Sequence, residues 1–146
     1  MECIFLTNEE IRQILTKYKN VAIVGLSADE NKPSYIVSAY LKQCGYRIIP
    51  VNPNIEAVLG EKSYKSLIDV PTDIQRTIEI VGIFRKAQDV PPIVDQVVKL
   101  KALFGRPFVV WMQLGIVNGE AAQEARHAGL IVVMDRCLMV EHERLM

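Results

Sequence analysis

Five short runs of apolar residues recur along the chain, and nearly every position in each run is apolar. They cover residues 21–24, 47–51, 79–84, 108–112 and 130–134, and valine and isoleucine dominate them. Continuous apolar runs of this length are typical of strands buried on both faces, because each face then meets a hydrophobic layer. Residues 62–64, which are less apolar than these runs, predict one short edge strand. The pattern therefore predicts a parallel sheet of five or six strands.

Between these runs, apolar positions recur at the spacing of one helix face. Thr7 and Glu10 have the spacing of a capping box, so a short first helix is predicted to follow them. Three more helices are predicted from their apolar positions: Ile36, Val37, Tyr40, Leu41 and Cys44 behind Pro33; Ile93, Val94, Val97, Val98 and Leu100 behind Pro91 and Pro92; and the alanine-rich 120–128 behind Asn118. Alternating strands and helices predict an α/β fold, a Rossmann-like doubly wound parallel sheet. We expect a single domain over residues 1–146, with its core at about 20–137.

Composition narrows the classes of partner. The 17 basic and 17 acidic residues cancel, so net charge favours neither a nucleic acid nor an acidic membrane surface. No apolar run approaches the roughly 20 residues of a membrane span. The three cysteines, Cys3, Cys44 and Cys137, form no C-x-x-C pair, so neither a zinc site nor a disulfide framework is predicted. Buried free thiols in a reducing cytoplasm are the expectation.

Ligands of such sheets bind outside the carboxyl ends of the strands, where the strand order reverses. A 3-2-1-4-5-6 order, with 62–64 as strand three, brings together the loops at 25–27, 52–54 and 84–86. Loops 113–115 and 135–137 lie further along the same rim. Gly25 permits a tight turn, and Lys32 and Arg85 are the nearest cations for a phosphate. A plain strand-to-helix turn at Gly25 explains that residue equally well, since one glycine is weak evidence.

The stretch VAIVGLSADENKPSYIV departs from a dinucleotide-binding fingerprint. Ser27 and Glu30 stand where the second and third glycines of G-x-G-x-x-G belong, and Asn52 and Pro53 follow the second strand instead of the acidic residue that holds an NAD ribose.

Residues suited to catalysis are scarce in this sequence. His127 in a helix and His142 in a polar tail are expected to be structural or surface residues, and Cys137 to be a packing residue. The residues predict no catalytic constellation and no metal site.

Several segments, taken together, resemble a known family: the whole stretch from VAIVGLSADENKPSYIV to VNPN, then GEKSYKSLIDVP, IVGIFRKAQDVPPIV and VVWMQLGIVNGEAAQEARHAGLIVVMDRC. They are similar to the small single-domain CoA-binding proteins, and to the CoA-binding N-terminal domain of the succinyl-CoA synthetase alpha subunit. The resemblance implies a site for coenzyme A or an acyl-CoA, formed by Gly25, Leu26, Ser27, Lys32, Pro33, Ser34, Asn52, Pro53, Phe84 and Arg85, with Gln113, Gly115 and Asn118 toward the pantetheine end.

The chain also departs from the family pattern. Lys32 stands where the family often has Arg, which keeps the charge but loses bidentate geometry. Neither His127 nor His142 matches the phosphorylated histidine of the synthetase, whose second domain has no counterpart here. The resemblance therefore implies binding and not ligase chemistry.

Three functions follow as hypotheses. The favoured one is a non-catalytic carrier, sensor or regulatory module that binds CoA or an acyl-CoA, with its protein partner unknown. The alternatives are an NAD(P)-binding oxidoreductase, supported by the fold alone, and a subunit that completes an acyl-CoA ligase in trans.

Overall fold

A five-stranded parallel sheet forms the centre of the computed structural model, which describes residues 6–146. The order of its strands is β2-β1-β5-β6-β7. The strands are β1 (Asn20–Val24), β2 (Arg47–Val51), β5 (Ile80–Ile83), β6 (Val109–Met112) and β7 (Ile131–Val133). All five predicted strands are therefore present, and the α/β doubly wound prediction is confirmed.

Successive residues of each strand face opposite layers, and both layers are hydrophobic. In β1, Val21 and Ile23 face one core cluster, whereas Ala22 and Val24 face the other. Because side chains alternate across a strand, two apolar layers require an uninterrupted apolar run, which is the pattern seen in the sequence. Trp111, the one tryptophan, is fully buried in β6.

Within residues 6–146, six α-helices cover the two faces of the sheet. They are α1 (Asn8–Lys17), α2 (Pro33–Gln43), α3 (Thr72–Gln75), α4 (Val90–Phe104), α5 (Gly119–His127) and α6 (Leu138–Leu145). Helices α1, α2 and α6 pack on one face, and α3, α4 and α5 pack on the other. The predicted capping box is present, with the Glu10 amide donating to Thr7 Oγ1 at 3.1 Å and the Thr7 amide donating to Glu10 Oε1 at 2.9 Å. None of the helices within residues 6–146 is both long and apolar enough to span a bilayer.

The predicted edge strand at 62–64 is reduced to a single parallel bridge between Val51 and Tyr64. The residues before Tyr64 pair elsewhere, because β4 (Glu61–Lys62) forms an antiparallel hairpin with β3 (Ala57–Val58). Tyr64 thus occupies the place of strand three, beside β2, and the predicted 3-2-1-4-5-6 order holds with five regular strands.

The C-terminal segment forms a helix, so the prediction of a polar tail around His142 is wrong. Helix α6 packs against α1 and α2, and the Tyr40 hydroxyl lies 2.8 Å from His142 Nδ1. Burial lowers the pKa of His142, and Lys19 adds to this effect. Four of its eight residues are apolar, but three of them, Leu138, Met139 and Val140, are consecutive, so the sequence shows no helical spacing of apolar positions there.

The thiols differ from the prediction of buried cysteines. Cys44 is exposed at the end of α2, and Cys137 is half-buried at the start of α6. Cys3 lies outside the described residues. The prediction of a buried thiol is therefore wrong for Cys44, because the buried face of α2 runs through Ser34, Val37, Ser38 and Leu41 instead.

Glu141 is the buried acid that holds α6 in place. Arg136 Nη1 donates to Glu141 Oε1 at 2.6 Å, and Arg144 Nε donates to Glu141 Oε2 at 2.9 Å. Burial alone would raise the pKa of Glu141, but the hydrogen bonds and charges of the two arginines together outweigh burial and hold this pKa below its ordinary value of 4.5.

We predict that Glu141→Gln lowers the melting temperature at pH 7. The melting temperature of this variant should also fall less than that of the wild type when the pH is lowered. Because the pKa of Glu141 is depressed in the folded state, its contribution to stability is present above about pH 4.5 and is lost as the pH falls through the folded-state pKa. Thermal unfolding at pH 7 and pH 3 should therefore show a smaller difference for the variant than for the wild type. Glu143→Gln is the control, since Glu143 is exposed and forms no ion pair within residues 6–146. Equal acid dependence in both variants would contradict the prediction.

Candidate functional site

Three loops leave the carboxyl ends of β1, β2 and β5 side by side. The Gly25 amide donates to the Val51 carbonyl at 2.8 Å, and the Phe84 amide donates to the Val24 carbonyl at 2.9 Å. These backbone hydrogen bonds continue the sheet ladder one step beyond the strands. The loops predicted to meet at one rim therefore do so.

Gly25 allows the first and third of these loops to pack closely. Its φ is +88°, in the left-handed region that favours glycine. A Cβ at this position would lie 2.5 Å from the Phe84 carbonyl oxygen and 2.9 Å from Arg85 Cδ. Any side chain would therefore push the β5 loop away, and the structural role of Gly25 is to let the backbone of one loop rest on the other.

A cleft of about 250 Å³ opens beside this contact. One wall comes from the segment after Tyr64, the other from the start of α4, and the sheet edge forms the floor. The lining residues are Val24, Gly25, Val51, Pro53, Lys65, Ser66, Leu67, Arg85, Asp89, Pro92, Ile93 and Gln96. The volume lies slightly below the roughly 300 Å³ at which protein ligand pockets commonly start, so the cleft suits one part of a large ligand.

The charged lining of the cleft consists of two cations and one anion. Lys65 and Arg85 are both exposed, and neither side chain forms an ion pair within the described part of the chain. Asp89 is half-buried at the start of α4. The two cations lie on different loops, so an anionic ligand could be held at two separate points.

The loop after Gly25 is held largely by its own hydrogen bonds. The Ser27 amide donates to Ser34 Oγ at 2.9 Å, and Ser27 Oγ accepts from the Asp29 amide at 3.0 Å. Lys32 is the N-cap residue of α2, and Pro33 is the first residue of that helix. Neither residue lines the cleft, and Leu26 is fully buried beneath the loop.

Asn52 and Phe84 support the rim from the inside. Asn52 Nδ2 donates to the Leu26 carbonyl at 3.0 Å, and its Oδ1 accepts from the Asn54 amide at 2.9 Å. Phe84 is half-buried and packs against the core under α2. Of the residues predicted for the loops after β1, β2 and β5, the cleft brings together Gly25, Pro53 and Arg85, while the others shape these loops.

The residues predicted for the far end of the site connect elements to one another. The Gln113 side chain is buried, and its Oε1 accepts from the Leu138 amide at 3.1 Å. The Gly115 amide donates to Asp135 Oδ1 at 2.7 Å. Asn118 caps α5 and donates from Nδ2 to the Ala87 carbonyl at 2.9 Å. None of the three lines the cleft, although Gly115 has open space beside it.

Sequence reasoning missed Lys65, Ser66, Asp89 and Gln96. A signal for Lys65 was present, because it directly follows the predicted edge strand and so belongs to the same rim as the other loops. Gln96 had no such signal, since it lies within α4 and reaches the cleft only through the packing of that helix. Its Oε1 accepts from the Leu67 amide at 3.0 Å, which joins the two walls.

The ionisable groups whose pKa is clearly perturbed lie away from the cleft. Within residues 6–146 they are Tyr40, Tyr46, Glu124, Glu141 and His142. Burial raises the pKa of Tyr46 to about 12, and a hydrogen bond shared with Asp95, which favours the protonated form of Glu124, raises the pKa of Glu124. Perturbed groups often mark catalytic sites, but here they belong to helix packing and to the protein surface.

The parallel sheet, the reversal of strand order beside β1 and the cleft at its carboxyl edge place the protein in the Rossmann-like class of α/β folds. Comparison with known families is more specific. The chain belongs to the CoA-binding domain family, whose model matches residues 19–143.

The chain is similar to three further proteins over all or part of its length. The uncharacterized protein YneT of Bacillus subtilis is 38% identical over 133 residues, which cover 91% of this chain and 92% of that protein. A hypothetical protein from Pyrococcus horikoshii has the same fold, with a TM-score of 0.88, 43% identity and 99% of each chain covered. An ADP-forming acetate–CoA ligase of Methanocaldococcus jannaschii is 40% identical over 63 residues, which are 43% of this chain but only 9% of the ligase.

We predict that Gly25→Ala destabilises the protein more than Gly45→Ala. Both glycines have left-handed φ values, +88° and +94°, so each substitution should cost on the order of 1–2 kcal/mol in backbone strain. Only Gly25 adds a collision with the Phe84 carbonyl, because nothing lies within 4 Å of a Cβ built on Gly45. Thermal unfolding should show a clearly larger fall for Gly25→Ala, at roughly 2–4 °C for each kcal/mol. Equal decreases in melting temperature for the two variants would contradict the prediction, because they would show that the contact between Gly25 and the Phe84 carbonyl can accommodate a Cβ.

Proposed function

We propose that the protein binds coenzyme A or an acyl-CoA at the carboxyl edge of its sheet. The observation that supports this most directly is the convergence of Gly25, Pro53 and Arg85 on one cleft, in a chain that belongs to the CoA-binding domain family. The residue assignments below rest on this geometry together with the family resemblance.

The two ends of the ADP part fit different surfaces of the cleft. Pro91 and Pro92 remove two amide donors from the first turn of α4, so this helix start is a poor anion site and offers an apolar wall instead. The adenine ring is proposed to rest on Pro92 and Ile93. The pyrophosphate then lies over Gly25, where the Arg85 side chain supplies the positive charge.

The pantetheine arm is proposed to follow the rim toward the loop after β6. The Gln113 side chain is already bonded to the Leu138 amide, so it contributes to the shape of this loop. Leu114 and Val117 are 69% and 52% exposed, and they offer apolar surface for an uncharged chain. Gly115 leaves open space between them.

An NAD(P)-dependent oxidoreductase is the weaker alternative. A carboxylate that accepts hydrogen bonds from the ribose normally ends the second strand of an NAD site. Asn52 holds this position, and both ends of its amide are engaged within the protein. The oxidoreductase hypothesis is therefore supported by the fold alone.

The role proposed for CoA binding is that of a non-catalytic carrier, sensor or regulatory module in the cytoplasm. The match to an acetate–CoA ligase favours a second candidate, a subunit that completes a ligase in trans. The affinity of the isolated chain separates the two: a self-sufficient binder should bind CoA unaided, whereas a subunit that shares its site with a partner should bind CoA only when the partner is present.

We predict that CoA and acetyl-CoA raise the melting temperature of the protein, whereas NAD and NADP do not, because a ligand specific to the native state stabilises it by mass action.

Arg85→Ala should weaken CoA binding roughly ten- to hundredfold, as expected for the loss of a charge-assisted hydrogen bond. Arg76→Ala is the matched control, because Arg76 is exposed and precedes β5 at the opposite edge of the sheet. A shift with NAD alone, or unchanged CoA affinity in Arg85→Ala, would contradict the proposed function or its site.

A further inference from the structure

The two cations of the cleft differ in position. Arg85 follows β5, and its side chain passes over Gly25, as the 2.9 Å between Arg85 Cδ and a Cβ built on Gly25 indicates. Lys65 follows Tyr64 on the opposite wall, and it also borders a neighbouring hollow of about 890 Å³ formed by residues 53–63. Lys65 and Pro53 are the two residues that line both spaces. Lys65 therefore lies at the mouth of the cleft.

The backbone of Lys65 is fixed on both sides. Before it, the Asn52 amide donates to the Tyr64 carbonyl at 2.8 Å, and the Tyr64 amide donates to the Pro50 carbonyl at 3.1 Å. After it, the Leu67 amide donates to Gln96 Oε1 at 3.0 Å. The Lys65 backbone is therefore in place before a ligand arrives, so binding needs to order only its side chain.

CoA carries two separate anionic groups, the pyrophosphate and the 3′-phosphate of the ribose. With the pyrophosphate over Gly25 and Arg85, the 3′-phosphate needs a second cation. Lys32 does not line the cleft. Asp89, on the α4 wall, would repel a phosphate there and favours the opposite wall, where Lys65 is the cation.

We propose, on the basis of the proposed function, that Lys65 binds the 3′-phosphate and is the residue by which this protein distinguishes CoA from nucleotides that lack that phosphate. Lysine suits this task because its ammonium is a compact charge with rotatable donors, and the phosphate at the mouth of the cleft requires no fixed bidentate geometry.

The test compares the affinities of CoA and dephospho-CoA by isothermal titration calorimetry. The wild type should bind CoA roughly ten- to hundredfold more tightly than dephospho-CoA. Lys65→Ala should bind the two equally, with CoA weakened to the level of dephospho-CoA, and Lys65→Arg should keep most of the preference. Arg85→Ala should weaken both ligands by a similar factor and so preserve their ratio.

Two controls complete the design. Lys17→Ala removes an exposed lysine at the end of α1, on the other layer and at the opposite edge of the sheet, and should leave both affinities unchanged. Lys32→Ala tests the rival cation. The inference is overturned if Lys65→Ala keeps the wild-type ratio, or if Lys32→Ala abolishes it. A wild type that binds both ligands equally refutes the role of Lys65 and leaves CoA binding intact, whereas a wild type that binds neither ligand refutes the proposed function itself.

Discussion

The contact between Gly25 and the Phe84 carbonyl is the constraint on which the whole rim depends. It brings the loops after two adjacent strands, β1 and β5, into direct backbone contact, at a separation that leaves no room for a Cβ. Because the Arg85 side chain passes over the same glycine, the contact also determines where the charge of the cleft lies.

The rim is held together by side chains that are buried, like Gln113, or half-buried, like Asn52. Asn52 holds the carbonyl of Leu26, and Gln113 holds the amide of Leu138. Gly82, without a side chain, leaves space over β5 for the Gln113 amide, whose Nε2 would lie 3.3 Å from a Cβ at that position. Each of these amides joins a loop at the carboxyl edge to a neighbouring element. Polar residues at the ends of strands therefore supply both the lining of the cleft and its internal supports.

Much of the site could be predicted from the sequence, but the division of roles within it could not. The three loops were identified from the strand pattern and the rule that ligands bind at carboxyl ends. Whether a polar residue in such a loop faces the cleft or the protein depends on rotamers and on partners distant in sequence. Ser34, Asn52 and Asn118 are engaged in hydrogen bonds to other segments, while Lys65 and Arg85 remain available.

The sequence by itself determined the parallel α/β architecture, because apolar runs, helix caps and the spacing of turns are local patterns, and the resemblance of its segments to a known family pointed to that family. Only the tertiary structure decided that α6 closes one face through Glu141, that Tyr64 replaces a third strand, and that Gln96 and Lys65 complete the cleft. The physical reason is that each of these features depends on contacts between residues far apart in the chain, whose geometry no local pattern specifies.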